Sequence, residues 1–235
     1  NGNVKVDWVV ERSFAELPKW HSLVRDVIPV ELRKWRRNLF SRETYNEWQK
    51  FVDRLKRFEY DVVLDAQALM KSALITRKAR GKKYGLDWRS AWEPLSSLAY
   101  NETFSVDPNL HAVHRMQTLF GEVFSYEPDL ENLKFGLNKA FLLSQATIPQ
   151  DPYLVFVHAT TWGTKHWPIE YWRVLTKTAT DSGKKVLLPW GNEQEKMRAQ
   201  KIADGYAGAQ VLPKMNLTEL TGLIAGAQGV VAVDT

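Results

Sequence analysis

The sequence predicts an α/β protein, with parallel sheet flanked by helices and a domain boundary within residues 125–151. Three observations carry this. Residues 153–157, Tyr-Leu-Val-Phe-Val, are apolar without alternation, which suits a strand covered on both faces, as parallel strands are. Beyond them, strand-like runs alternate with helical ones at an interval that implies right-handed crossovers. Residues 125–151, with Pro128, Asn138 and Pro149, carry little sustained pattern, so the boundary is placed there. A chain of 235 residues that is 44% apolar and 12% aromatic has enough hydrophobic surface for a sizeable core.

In order along the chain, residues 4–10 read as a strand that starts almost at the first residue, and Val27-Ile28-Pro29-Val30 as a second β-like piece. Arg33, Lys34, Arg36 and Arg37 then surround Trp35. Four cations around one indole fit a solvated face, a nucleic-acid patch, or a clamp for carboxylates and phosphates built on the guanidinium fork. Residues 42–57 read as an amphipathic helix whose core stripe is Tyr45, Trp48, Phe51, Val52 and Leu55. Residues 60–65 form another buried strand, and the polar residues from Asp65 to Ser72 fall where open α/β sheets gather ligands. A second basic cluster, Arg77, Lys78, Arg80, Lys82 and Lys83, follows in a helix broken by Gly81 and Gly85. Around Trp88, Trp92, Pro94, Leu95 and Leu98 a short helix is expected, then an exposed loop over 101–107. His111 opens a helix over 109–124, where a histidine is more often structural than catalytic.

The second half predicts strands at 153–158, 185–191, 209–213 and 229–235, with helices at 168–181, 192–205 and 217–226. The stretch 158–168 leaves the first of these strands in hydroxyls, a glycine and Lys165 before Pro168 begins a helix. Backbone N–H groups and hydroxyls there suit an anion, although many such turns are hydrated connections and bind nothing. Thr160, Thr161, Lys165, Glu195, Met215, Asp234 and Thr235 come from four βα connections and would meet at one rim, which favours a nucleotide site. In that setting Lys165 would neutralise charge on a departing diphosphate.

Several classes are disfavoured. No G-x-G-x-x-G follows a strand, no Walker loop or G-x-S-x-G elbow occurs, and no carboxylate pair stands out as acid and base. His158 and His166 lack partners at metal-ligand spacing, so no metal is expected. The chain has no cysteine, hence no disulfide or thiolate site, and no apolar run of about 18 residues. A formal charge of +5 and a pI near 9.3 point to a polyanionic partner, whether phosphorylated headgroup, acidic sugar or nucleic acid.

Longer motifs carry a resemblance. Val6-Asp7-Trp8-Val9-Val10-Glu11, Arg33-Lys34-Trp35-Arg36-Arg37, Asp65-Ala66-Gln67-Ala68-Leu69, Gly85-Leu86-Asp87-Trp88, His158-Ala159-Thr160-Thr161, Lys165-His166-Trp167-Pro168, Leu188-Pro189-Trp190-Gly191, Leu212-Pro213-Lys214-Met215 and Val233-Asp234-Thr235 together resemble the ADP-heptose:lipopolysaccharide heptosyltransferases of glycosyltransferase family 9, type I branch. The resemblance implies a GT-B fold: two Rossmann-like domains with parallel sheets facing across a cleft, 1–140 binding the acceptor and 141–235 the ADP-sugar, truncated at both ends. It implies inverting transfer of L-glycero-D-manno-heptose from ADP-heptose, a substrate rather than a cofactor, to Kdo of Kdo2-lipid A. No cofactor or metal is implied. A bacterial cytoplasmic monomer is expected, peripheral at the inner face of the inner membrane, with the membrane surface and no nucleic acid as a partner. By motif, Thr160, Thr161 and Lys165 would hold the diphosphate, Glu195 the ribose, Met215 the adenine, and Asp234 and Thr235 the heptose and phosphate. Arg33, Arg36 and Arg37 would bind the acidic acceptor, with His111 nearby.

The sequence departs from the family in two respects. The family's opening Ser-Ser-x-Gly-Asp loop, whose Asp is the general base, does not occur in it, nor do the Gly and His that follow the terminal motif, so the chain alone is expected to be inactive. Where the family implies an acceptor-binding Arg before Glu93-Pro94, this sequence has Trp92, and Arg89 is the expected substitute. A two-lobed protein that binds a nucleotide-sugar or acidic glycan without chemistry is the alternative from another class.

Overall fold

A computed structural model describes residues 4–147 and 149–234. Its contacts divide the chain into two units, one taking the residues up to Ala15 and Leu23–Gly136, the other Glu16–Ser22 and everything from Leu137. The break after Gly136 lies close to the expected 140/141, whereas the grouping of Glu16–Ser22 with the second unit has no counterpart in the sequence reading.

In the first unit, β1 (Val6–Glu11) pairs in parallel with β2 (Val24–Val30). Two helices follow, α1 (Leu32–Arg37) and α2 (Arg42–Leu55), the second capped by Ser41, whose Oγ accepts from the Thr44 N–H at 3.0 Å. Ile28 and Val30 of β2 pack with Trp35 of α1 and with Phe51, Val52 and Leu55 of α2. The Trp35 ring meets Trp48 edge-on at 5.7 Å and donates its N–H to Glu47 at 2.7 Å, so its polar atom is satisfied inside the core. Tyr45 departs from the predicted stripe. It is 61% exposed, because the apolar face of α2 begins one turn later.

Next come β3 (Glu59–Leu64), α3 (Met70–Thr76), β4 (Arg80–Leu86) and β5 (Glu102–Phe104), the strands forming a parallel sheet in the order β3-β4-β5. The expected helix ends at Thr76, before Gly81; both glycines fall in a strand, and three residues of the expected exposed loop, 102–104, are strand as well. The two glycines belong to β4 because the sheet leaves no room for a side chain. A Cβ on Gly81, whose φ is +124°, would sit 2.1 Å from the Tyr60 carbonyl oxygen, and one on Gly85 would sit 2.3 Å from the Tyr100 ring. Helix α4 (Ala112–Phe124) closes the unit, with Leu119 packing against Leu86 and Val106.

The second unit opens with α5 (Lys139–Ser144) and continues through β6 (Tyr153–Val157), α6 (Ile169–Asp181), β7 (Lys185–Leu188), α7 (Glu193–Ala203), β8 (Ala209–Val211), α8 (Leu217–Gly226) and β9 (Gly229–Ala232). Its four strands are parallel in the order β8-β7-β6-β9. On one face Phe156 packs with Trp172 of α6 and with Ala199 and Ile202 of α7; on the other Tyr153 and Val155 pack with Leu187 and Leu223 of α8. Burial on both faces is why the strand shows no alternation. Within this unit Glu16–Ser22 lies on α8: Trp20 Nε1 donates to Thr218 Oγ1 at 3.3 Å, and that hydroxyl donates to Glu16 at 2.9 Å.

Gly81→Ala is expected to lower the stability of the first unit by about 2 kcal/mol or more, since a clash with backbone adds to an unfavourable φ. Urea unfolding followed by circular dichroism measures it.

Candidate active site

The carboxyl ends of β6, β7, β8 and β9 define the rim that the sequence reading singled out. After Val157 the chain runs through a loop, 158–168, that makes one tight turn at Gly163–Lys165 before α6 begins. Three side chains shape it. The His166 Nε2 lies 2.7 Å from the Thr160 carbonyl oxygen, spanning the turn. Arg198, on α7, donates through Nε to the His158 carbonyl at 3.2 Å and through Nη2 to the Trp167 carbonyl, so one guanidinium holds both ends of the loop. Lys165 Nζ pairs with Asp234 just beyond β9 at 2.6 Å. A cavity of about 370 Å³ opens here, lined by Lys165, His166, Trp167, Trp172 and residues 231–233.

Of the predicted residues on this rim, Thr160 is buried, at 9% exposure, and Thr161 is exposed. Lys165 and Asp234 are brought into contact. Glu195 sits in the first turn of α7, where its carboxylate accepts from the Gly191 N–H at 2.7 Å and from Asn192 Nδ2 at 2.8 Å. Those bonds fix its orientation and leave further lone pairs on each oxygen. Met215 is half-buried against Tyr153, Val155, Leu187 and Leu223. Thr235 lies outside the described residues. The sequence reading did not single out Arg198. The available signal was its spacing, three residues beyond Glu195 and therefore on a neighbouring part of the same helix face.

His158, where the loop leaves β6, is fully buried against Trp172. Burial, reinforced by the nearby Arg198 charge, pushes its pKa down to about 4, so the ring is neutral at pH 7.

In the first unit, α1 presents Arg33, Arg36 and Arg37 to solvent, with no ion pair for any of them among the described residues. Lys34 behaves differently. It bridges Glu43 at 3.1 Å and Glu47 at 2.7 Å, and these pairs hold its pKa up at about 12. His111 is the N-cap of α4, its Nδ1 accepting from the Val113 N–H at 3.4 Å. Arg115, buried, lies with its guanidinium 4.5 Å from the Trp92 ring and donates to the Ser90 carbonyl at 2.5 Å, while Arg89 is exposed. No group of three or more possible metal ligands occurs among the described residues.

The family description "Glycosyltransferase family 9 (heptosyltransferase)" matches residues 48–235, most of the chain. The chain belongs to glycosyltransferase family 9. Lipopolysaccharide heptosyltransferase 1 of Escherichia coli K12 is 44% identical over 99% of the chain, which spans 73% of that relative. The Pseudomonas aeruginosa protein of the same name is 45% identical over 99% of the chain, which spans 65% of it. Among solved structures, E. coli heptosyltransferase WaaC with ADP superposes with a TM-score of 0.92 at 44% identity, over 98% of this chain and 72% of that one. E. coli heptosyltransferase II, at 19% identity and a TM-score of 0.65, shares the fold. This family 9 chain is thus a glycosyltransferase sequence with GT-B-type architecture.

The His158 shift has a signed consequence for stability. Its folded pKa lies below its unfolded value, so the unfolded chain binds more protons between about pH 4 and 6.5. Its contribution is therefore complete above pH 6.5 and lost as pH falls towards 4. Replacing it by Gln is expected to flatten the pH dependence of the melting temperature over that window, as calorimetry at stepped pH would measure.

Proposed function

We propose that this chain carries the donor site and acceptor clamp of a heptosyltransferase that moves L-glycero-D-manno-heptose from ADP-heptose to Kdo of Kdo2-lipid A in lipopolysaccharide core biosynthesis. The observation that carries the reading is the 158–168 loop with its Lys165–Asp234 pair at the carboxyl end of β6, in a chain 44% identical to an enzyme solved with ADP and with ADP-2-deoxy-2-fluoro heptose. Thr160, Thr161 and Lys165 hold the diphosphate, Glu195 the ribose, Met215 the adenine and Asp234 the heptose. Thr235 is assigned to the phosphate by motif alone.

In the reaction an acceptor hydroxyl gives its proton to a general base, the role the family assigns to the Asp of its opening loop, and attacks the anomeric carbon as the bond from that carbon to the diphosphate oxygen breaks. ADP departs with the electron pair. Negative charge grows on the β-phosphate as this happens, and an ammonium beside it stabilises the transition state more than the ground state. Arg33, Arg36 and Arg37 offer guanidinium forks to carboxylates or phosphates of the acceptor, with His111 as a further contact. We assign no metal or cofactor to the reaction, and we place the enzyme as a monomer at the cytoplasmic face of the inner membrane, where its acceptor lies. Non-catalytic binding is the less favoured reading, because the family is one of transferases.

Lys165→Ala in the full-length enzyme is expected to slow heptose transfer by roughly 10²–10³-fold, the scale of losing one donor to developing charge. An unchanged rate, measured with ADP-heptose and Kdo2-lipid A, would remove Lys165 from the mechanism. The Arg33→Ala/Arg36→Ala double variant should mainly raise the acceptor KM, since it removes contacts to groups that do not react. A fall in kcat alone would refute the clamp.

A further inference from the structure

In the first unit the loop that follows β4, residues 87–93, is fastened at three points. The Asp87 N–H donates to the Phe104 carbonyl at 2.9 Å, the Ser90 Oγ accepts from the Val106 N–H at 2.9 Å, and the Glu93 N–H donates to the Ala68 carbonyl at 3.2 Å. Trp92 stands in this fixed loop and is 64% exposed. Behind its ring lies the Arg115 guanidinium, 4.5 Å from the ring centroid and only 1% exposed. Arg115 gives one hydrogen bond to the Ser90 carbonyl, while its Nε and Nη1 find no partner among the described residues.

The two side chains explain each other. A buried cation with two unpartnered nitrogens is destabilising, and beyond the one carbonyl it is the electron-rich face of the indole that compensates it. Swinging Trp92 away would remove that compensation, so the ring is held with one face on the cation and the opposite face to solvent. The open face lies at the carboxyl end of β4, where parallel sheets gather ligands. Arg115 is also one turn along α4 from His111, whose carbonyl accepts the Arg115 backbone N–H at 2.9 Å. A flat apolar face fixed in advance suits the C–H face of a sugar ring, because stacking there requires no further ordering of the protein.

We propose that Trp92 is a stacking platform for a sugar ring of the acceptor, with Arg115 as the positioning residue that holds it. This rests on the reading above, that the first unit binds an acidic glycan acceptor. It adds a contact that does not depend on charge.

The test uses the full-length enzyme with ADP-heptose and deacylated, water-soluble Kdo2-lipid A. Trp92→Ala is expected to raise the acceptor KM about tenfold, the scale of truncating an aromatic anchor, and the ratio to the parent should hold as salt rises. Trp92→Phe, which keeps a ring, should recover most of the loss. Arg115→Met should raise the same KM and add little to Trp92→Ala, because it acts through the ring. The two Trp92 variants decide the matter even where Arg115→Met does not fold. In saturation-transfer NMR, transfer from aromatic protons to the sugar-ring protons of the acceptor should fall in Trp92→Ala. An unchanged KM in Trp92→Ala, or a Phe variant no better than the Ala one, would overturn the proposal. So would a KM that falls in Trp92→Ala, which would make the ring a cover over an anion site at Arg115. Those outcomes spare the acceptor reading, whereas a parent that transfers no heptose to this acceptor would overturn that reading and the platform together.

Discussion

Strand β6 is the constraint on which the second unit depends. It lies inside the parallel sheet, with β7 on one side and β9 on the other, and both its faces are packed. A strand held in this way launches its loop from a fixed position. Arg198 then determines the loop's span by gripping the carbonyls of His158 and Trp167, while His166 crosses from inside the turn to Thr160. Carbonyl oxygens claimed by a guanidinium are turned towards α7, which limits the loop's freedom to rearrange. The loop's form is a matter of backbone carbonyls held by two side chains from different elements, and a string of threonines and a lysine does not reveal that.

The legible parts of the sequence were those where burial is symmetrical and the helical period is clean. Strand β6 and helices α6 to α8 are of this kind, as are the strand ends that bear Thr160, Lys165, Glu195 and Asp234. Strand β4 was illegible because it is a polar, glycine-bearing segment, Arg-Gly-Lys-Lys-Tyr-Gly-Leu. Close approaches by the Tyr60 carbonyl and the Tyr100 ring exclude side chains at the two glycines. Such demands come from neighbours distant in sequence, and propensity reads them as breakers. Tyr45 was misassigned for the opposite reason. It obeys the period of α2 but lies beyond the edge of the surface that α2 covers, where a regular stripe says nothing of where cover ends.

Charge counts in the sequence also conceal how cations are used. The first basic cluster has four members, yet Lys34 is committed to Glu43 and Glu47, the second of which also seats Trp35, leaving the arginines available. In the second cluster Lys82 pairs with Glu102 at 2.6 Å across β4 and β5, and Lys83 donates to the Gly81 carbonyl at 2.7 Å. The arginines of the first cluster face outward, whereas in the second Lys82 ties β4 to β5. Both look alike in a string of letters.

The contact between Lys165 and Asp234 has a consequence for selectivity. Because this ammonium already has an anionic partner, a phosphate cannot simply add to it; it must take the ammonium over or share it. The side chains are 44% and 78% exposed, so the pair is well hydrated and easily exchanged. The attraction that counts for a ligand is the surplus of its own pairing over the one it replaces. On the proposed reading, a diphosphate, with charge spread over two groups and the Thr160 and Thr161 hydroxyls assigned to it, would make that exchange favourable. An inorganic anion that can offer only a single contact gains little, so on the proposed reading Asp234 would act as a threshold that screens small background anions from the seat.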